Sequence, residues 1–97
     1  MGRRRSPWTI ELAKELVEIL KVRESALTPD IYREVRERTR GRFVSSKVNY
    51  GKVYRTLMAL YNVGFVDRKS VNGKVSWSLR ERDIKPEDIA RALLGVF

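Results

Sequence analysis

The sequence contains no cysteine, no histidine and no glutamine. Without cysteine and histidine there are no disulfides, and the thiolate and imidazole ligands of most transition-metal sites are missing. The usual pairs of a nucleophile and a base are missing as well. One acidic pair, Glu87/Asp88, falls at a predicted helix start, where acids have an ordinary structural role. The other, Glu81/Asp83, lies in a charged linker. We therefore expect no metal, no cofactor and no enzymatic activity.

Long apolar stretches are also missing from the chain. No apolar run approaches the ~20 residues that a membrane-spanning helix needs, and no apolar signal segment follows the N-terminus. We therefore expect a cytoplasmic protein. The 97 residues, of which 42% are hydrophobic, are sufficient for one small globular domain. The absence of glutamine beside 34% charged residues is typical of thermophile proteins.

Acidic residues are scarce in the middle of the chain, and none occurs between Glu37 and Asp67. Residues 33–80 carry twelve Lys and Arg but only three Asp and Glu, so the whole net charge of +9 lies there. Such a balance favours a polyanionic partner, which would be DNA, RNA or an acidic membrane surface. The alternative is a soluble protein that is merely basic, but confinement of the charge to one region favours a binding face.

Two helices are predicted in the first half of the chain. Ser6-Pro7 and Thr28-Pro29 each place an N-cap residue before a proline at the first helical position. The apolar spacing then predicts helices at about 7–22 and 29–40.

The same half of the chain carries two groups of arginines. Residues 1–5 form a basic arm that we expect to be disordered; its arginines either enter a DNA minor groove or remain solvated. On the second helix, Arg33, Arg36 and Arg40 recur at steps of three and four, which makes a basic stripe suited to phosphate contacts. Helix-surface ion pairs would occupy Arg33 but leave Arg36 and Arg40 unpaired.

A third helix is predicted at 46–62. Its apolar spacing predicts a buried stripe, which consists of Tyr50, Val53, Tyr54, Leu57, Leu60 and Tyr61. The opposite face carries no acid, and an α-helix fits the DNA major groove. There Asn49 would pair with adenine and Val48 would contact a thymine methyl group. Gly51 would allow close approach of helix two or of a DNA backbone.

A β-hairpin follows at 65–80. Asn72-Gly73 between two alternating segments is a strong signal for a two-residue type I′ turn. This turn sets a register in which Val71 opposes Lys74 and Arg68 opposes Trp77, with Arg68 lying on the indole ring. Trp77 and its alternating neighbours would face the core, and Lys69 and Lys74 would stand near the tip on the other face.

The chain closes with a predicted helix within 83–97, after a folded unit at 6–82. Its apolar face comprises Ile89, Ala92, Leu93, Val96 and Phe97. This face packs either on helix one or on a second copy of the chain. In the second case Ile89, Leu93, Val96 and Phe97 would form a homodimer contact together with the first helix.

The order of elements predicts an α+β fold, a winged helix-turn-helix with a three-helix core, a two-stranded wing and a C-terminal helix. The segment 53–66 resembles PadR-like winged-helix transcription regulators, in which a Y-x-x-L-x-x-L-x-x-x-G pattern precedes a hydrophobic pair. The matching residues are Tyr54, Leu57, Leu60 and Gly64. MarR-like and archaeal plasmid or viral regulators are similar. The resemblance covers about residues 7–80.

The resemblance implies a transcription regulator that reads the sequence of double-stranded DNA, with helix 46–62 in the major groove, hairpin 65–80 on the phosphates and dimerisation through terminal helices. We therefore expect a nucleoid-associated protein. With few residues after the wing, we expect no small-molecule effector. The alternatives are a non-specific architectural DNA binder and a protein-interaction winged helix in a replication or transcription assembly. The predicted DNA contacts are Arg3, Arg4, Arg5, Arg36, Arg40, Arg42, Ser46, Lys47, Val48, Asn49, Lys52, Arg55, Thr56, Lys69 and Lys74.

Overall fold

The computed structural model describes residues 7–40 and 48–94. Within them the chain is α+β, with four helices and one three-stranded antiparallel sheet of strand order β1-β3-β2, an arrangement compatible with a winged helix. The elements are α1 (Pro7–Val22), β1 (Ala26–Leu27), α2 (Thr28–Arg38), α3 (Tyr50–Asn62), β2 (Val66–Val71), β3 (Lys74–Leu79) and α4 (Pro86–Leu94).

Helix α1 lies at the centre of the core, in contact with α2, α3, α4 and β3. Its bounds agree with the sequence prediction. The side chains of Leu12, Leu16 and Leu20 are completely buried, because steps of four residues return them to one side of the helix. Burial of each leucine contributes about 1.5–3 kcal/mol. Within the described residues, none of the helices is long and apolar enough to cross a membrane.

Helix α2 differs from its prediction at both ends. It begins at Thr28, and its N-cap is Leu27, which makes no side-chain cap. Thr28 is buried instead, and its hydroxyl accepts a hydrogen bond of 2.8 Å from the Trp77 indole N–H. The helix ends at Arg38, and the Thr39 hydroxyl donates back to the Val35 carbonyl at 2.7 Å. Arg40 therefore lies beyond the helix, contrary to the prediction.

The hairpin confirms the predicted turn and register. Asn72 and Gly73 both have positive φ, 52° and 77°, as a type I′ turn requires. Val71 pairs with Lys74, Arg68 with Trp77 and Val66 with Leu79. The strands are one residue shorter at the base than predicted, although the Arg80 amide still donates to the Phe65 carbonyl at 3.0 Å.

Strand β1 was not predicted, because a segment of two residues is too short to show the alternation of apolar and polar residues that indicates a strand. Ala26 and Leu27 pair with Trp77 and Ser76, so β3 is the central strand of the sheet. This pairing fixes the hairpin to the segment just before α2.

Helix α4 packs on α1 of the same chain. Ile89 and Leu93 are 2% and 5% exposed and belong to the single core cluster. Of the two packings expected for this face, the structure shows the one on the first helix, and it leaves these two side chains almost no surface for a dimer contact. Val96 and Phe97 lie outside the described residues.

Candidate nucleic-acid interface

Helix α3 begins four residues later than predicted, at Tyr50. Asn49 is its N-cap, and the side-chain oxygen accepts a hydrogen bond of 2.8 Å from the Lys52 amide. Val48 just before it is 5% exposed and belongs to the core. The solvent-facing position predicted for Val48 is therefore wrong. Asn49 is exposed but lies at the helix end rather than on the helix face, with its oxygen engaged in the cap.

The buried face of α3 is rotated relative to the prediction. Val53, Leu57 and Leu60 are fully buried as expected, but Thr56 and Ala59 are buried beside them, at 3% and 7% exposed. The Thr56 hydroxyl donates to the Lys52 carbonyl at 2.8 Å. Thr56 satisfies its hydroxyl within the helix and can enter the core, so its predicted outward position is wrong.

The rotation turns three tyrosines outward in part. Tyr50 and Tyr61 are 45% and 38% exposed, and Tyr54 is half-buried. Periodicity placed them in the core because they lie beside Val53 and Leu57 on the helix wheel. A tyrosine at such a border buries its ring edge and keeps its hydroxyl in water. The face that α3 directs to solvent instead contains Gly51, Arg55 and Asn62, and Lys52 lies half-buried beside it.

Many cations of the described residues are held in ion pairs with carboxylates. These pairs are Lys14–Glu11, Lys21–Glu18, Arg23–Glu34, Arg33–Asp30, Arg38–Glu15, Arg40–Glu37, Arg80–Asp67 and Arg91–Asp88. The pairing of Arg40 with Glu37 at 2.8 Å corrects the expectation that Arg40 is unpaired. It forms because Arg40, beyond the helix end, can turn back toward Glu37.

Five exposed cations of α2, α3 and the hairpin belong to none of these pairs: Arg36, Arg55, Arg68, Lys69 and Lys74. We refer to them as the unpaired cations. They lie on α2, α3, β2 and at the start of β3. Arg82 and Lys85, in the linker after β3, are also outside the ion pairs, and Arg82 donates to the Lys21 carbonyl.

Arg36 is positioned by tyrosines where α2 meets the start of α3. Its guanidinium lies 5.6 Å from the centre of the Tyr32 ring and donates to the Tyr32 hydroxyl at 3.2 Å. Tyr32 in turn meets Tyr50 edge-to-face, with ring centres 5.6 Å apart. The prediction that Arg36 has no carboxylate partner along its helix is confirmed within the described residues.

Arg68 is positioned in the same manner between α3 and the hairpin. It donates to the Tyr54 hydroxyl at 3.0 Å and lies 5.9 Å from the centre of the Trp77 ring. Tyr54 and Trp77 meet edge-to-face with centres 5.9 Å apart. Arg68 was not among the predicted DNA contacts. The predicted register already placed Arg68 opposite Trp77, which packs toward the helices. The position of Arg68 beside α3 could have been inferred from that register.

Lys69 and Lys74 lie on the other face of the hairpin. Successive side chains of a strand point to opposite faces, so Lys69 and Val71 point away from the face that carries Arg68. Lys74 pairs with Val71 and therefore lies on the same face as Lys69. The structure thus joins Arg68 to α3 and keeps the two lysines on the solvent face of the sheet. At the base of that face Asp67 raises the pKa of Arg80 by accepting its hydrogen bond, with a smaller contribution from Tyr61.

Six predicted contacts lie outside the described residues: Arg3, Arg4, Arg5, Arg42, Ser46 and Lys47. In the part that is described, no group of three or more acidic, cysteine or histidine side chains could hold a metal ion. Comparison with protein-family models, curated proteins and solved structures gave no significant match.

Proposed function

We propose that this protein binds double-stranded DNA and acts as a transcription regulator, with α3 facing the major groove and the hairpin on the phosphates. The observation that carries the proposal is the separation of the cations into two groups. Cations of α1, of α4 and at the base of the hairpin are paired with carboxylates, as are Arg33, Arg38 and Arg40. The unpaired cations lie on α2, α3 and the hairpin.

Ion pairing bears on this proposal because a cation held by a carboxylate must exchange one anionic partner for another when it meets a phosphate. An unpaired, exposed cation has no such competitor, so it can neutralise a phosphate and release a counterion. If Arg36, Arg68, Lys69 and Lys74 each contact one phosphate, the logarithm of the binding constant falls with log salt at a slope of about −3.6.

The outward face of α3 supports major-groove binding in a second way. A methyl group at Gly51 would meet only the Asn49 side-chain oxygen, at 3.5 Å. No neighbouring helix in the described part of the chain therefore requires a glycine here, although glycine costs a helix about 1 kcal/mol relative to alanine. Because glycine has no side chain, a DNA backbone could approach the helix closely at this position. Arg55 lies one turn further along the same face.

The roles of the residues follow from these positions. Arg55 is the residue we assign to a guanine edge, since arginine pairs bidentately with guanine in the major groove. Arg36, Arg68, Lys69 and Lys74 are assigned to phosphates, which fix the position of the protein without reading sequence.

The test is fluorescence anisotropy with labelled duplex DNA over a salt series. Lys74→Ala should weaken binding to all sequences alike and reduce the magnitude of the salt slope by about 0.9. Lys14→Ala is the matched control, because it removes the same charge from a lysine paired with Glu11 on α1. Duplex binding that is absent or insensitive to salt would refute the proposal.

A non-specific architectural DNA binder is the second candidate. It is favoured by the burial of Val48 and Thr56 and by the engagement of the Asn49 side-chain oxygen in the helix cap, because all three residues were predicted DNA contacts. Selection of bound sequences from a random pool separates the two candidates. An enriched sequence that Arg55→Ala abolishes supports sequence reading, and a pool without enrichment supports architectural binding.

A further inference from the structure

All four tyrosines of the chain lie in one row. Tyr50, Tyr54 and Tyr61 follow one another along α3 at steps of four and seven residues, which keeps them on one flank of the helix. Tyr32 of α2 extends the row beyond the helix start through its edge-to-face contact with Tyr50. We call this set the tyrosine row.

The tyrosine row is more exposed than core packing requires. Tyr50 and Tyr61 are 45% and 38% exposed, although they share α3 with Val53 and Leu57, whose side chains are fully buried. Isolated exposed rings are ordinary on protein surfaces. Three tyrosines along one flank of α3, extended by Tyr32 of α2, form an aromatic strip, and such a strip indicates a binding surface.

Two of the unpaired cations border the tyrosine row. Arg36 lies over the Tyr32 ring at 5.6 Å and donates to its hydroxyl, and Arg68 donates to the Tyr54 hydroxyl at 3.0 Å. The tyrosines thus hold these guanidinium groups in fixed positions without neutralising them. Aromatic rings next to positive charge form the combination that binds unpaired nucleic acid strands, with bases on the rings and phosphates at the cations.

We propose that the tyrosine row binds an unpaired DNA strand, with bases stacked on Tyr50 and Tyr61 and phosphates at Arg36 and Arg68. Duplex DNA cannot use the rings in this way, because its base faces are covered by neighbouring base pairs. The helix rise places Tyr61 roughly 16 Å from Tyr50 along the axis. A single strand with the duplex spacing of about 3.4 Å would cover that distance with about five nucleotides.

The choice of DNA over RNA rests on the proposed function, because the row borders the surface assigned to duplex DNA. The stacking itself does not depend on that function. The two are distinguished by measuring duplex and single-stranded binding with the same preparations.

The experiment measures anisotropy with a labelled oligothymidylate of about fifteen nucleotides and with an abasic strand of equal length and charge. We expect the abasic strand to bind the wild-type protein at least about tenfold more weakly, since stacking on one ring changes affinity by roughly five- to over a hundredfold. Equal affinity for the two strands would overturn the proposal, and this comparison needs no variant.

Variants then locate the contact. Tyr50→Ala and Tyr61→Ala should each weaken oligothymidylate binding about tenfold and leave abasic binding unchanged, whereas Tyr50→Phe, which keeps the ring, should bind within about twofold of wild type. A thermal melt confirms that each variant is folded. Unchanged affinity in both alanine variants would overturn the assignment to these rings. Tighter binding of oligouridylate than of oligothymidylate would contradict the assignment to DNA. Stacking without salt-dependent duplex binding would refute only the proposed function.

Discussion

The hydrogen bond between the Trp77 indole and the Thr28 hydroxyl is the internal contact that fixes the hairpin to α2. Both side chains are buried, and the indole nitrogen lies 2.8 Å from the hydroxyl oxygen. The same hydroxyl lies 3.4 Å from the Val75 carbonyl, to which it donates. Thr28→Val keeps the shape of the side chain but leaves a buried indole N–H without a partner.

An unsatisfied buried donor costs about 1–3 kcal/mol, and we expect Thr28→Val to lower the free energy of unfolding by that amount. For a domain of this size each kcal/mol shifts Tm by about 4–8 °C, so Tm should fall by at least about 4 °C. Urea unfolding followed by tryptophan fluorescence measures the difference, because Trp77, one of the two tryptophans of the chain, is buried in the core.

Thr39→Val is the matched control. Thr39 is as buried as Thr28, 3% exposed in each case, and its hydroxyl donates to the Val35 carbonyl. That carbonyl also accepts the Thr39 backbone amide at 3.0 Å, so it keeps a partner after the substitution. We therefore expect Thr39→Val to cost less than about 1 kcal/mol. Equal destabilisation by the two substitutions would refute the argument that the indole depends on Thr28.

Three further predictions concern folding. Asn49→Ala should lower the free energy of unfolding by about 0.5–2 kcal/mol in urea because the N-cap of α3 is lost, whereas Asn49→Asp, which retains the acceptor, should cost less. Ile89→Ala should destabilise the chain by about 2–5 kcal/mol without changing its mass in light scattering. A change in mass would instead indicate that Ile89 contacts a second copy of the chain. Gly73→Ala should cost about 1–2 kcal/mol in a thermal melt through its positive φ, since a Cβ there meets no atom within 4 Å; an unchanged Tm would argue against the strained turn.

The sequence predicted well those features that depend on a few neighbouring residues. The bounds of α1 follow from proline at its first position and from a continuous apolar stripe. The turn at Asn72-Gly73 determined the register of every cross-strand pair in the hairpin, including Arg68 opposite Trp77. Gly64, which follows the C-cap residue of α3, has positive φ, as glycine commonly does after a helix end.

The errors arise where tertiary contacts decide between close alternatives. On α3 the polar Thr56 and the aromatic Tyr50 exchange their predicted environments, because a hydroxyl bonded within the helix is readily buried and a tyrosine at the core border is not fully covered. The two residues of β1 acquire their strand conformation from pairing with Trp77 and Ser76. Neither effect is visible in local periodicity.

These corrections also change the candidate site. Val48, Asn49 and Thr56 no longer lie on the outward face, and Arg68 joins it through Tyr54 and Trp77. The surface that remains contains fewer groups able to read bases, and Arg68 replaces Arg40 among the unpaired cations able to bind a nucleic acid backbone. The location of the proposed DNA contact is therefore the property to measure.

An NMR titration with a short DNA duplex tests that location most directly. Backbone amide shifts recorded at increasing DNA concentration should change at Gly51–Arg55 in α3 and at Arg68–Lys74 in the hairpin. Amides of α1 and α4, where the lysines and arginines are paired with carboxylates, should be unchanged. Shifts confined to α1 or α4, or no shifts at a duplex excess and low salt, would contradict the account.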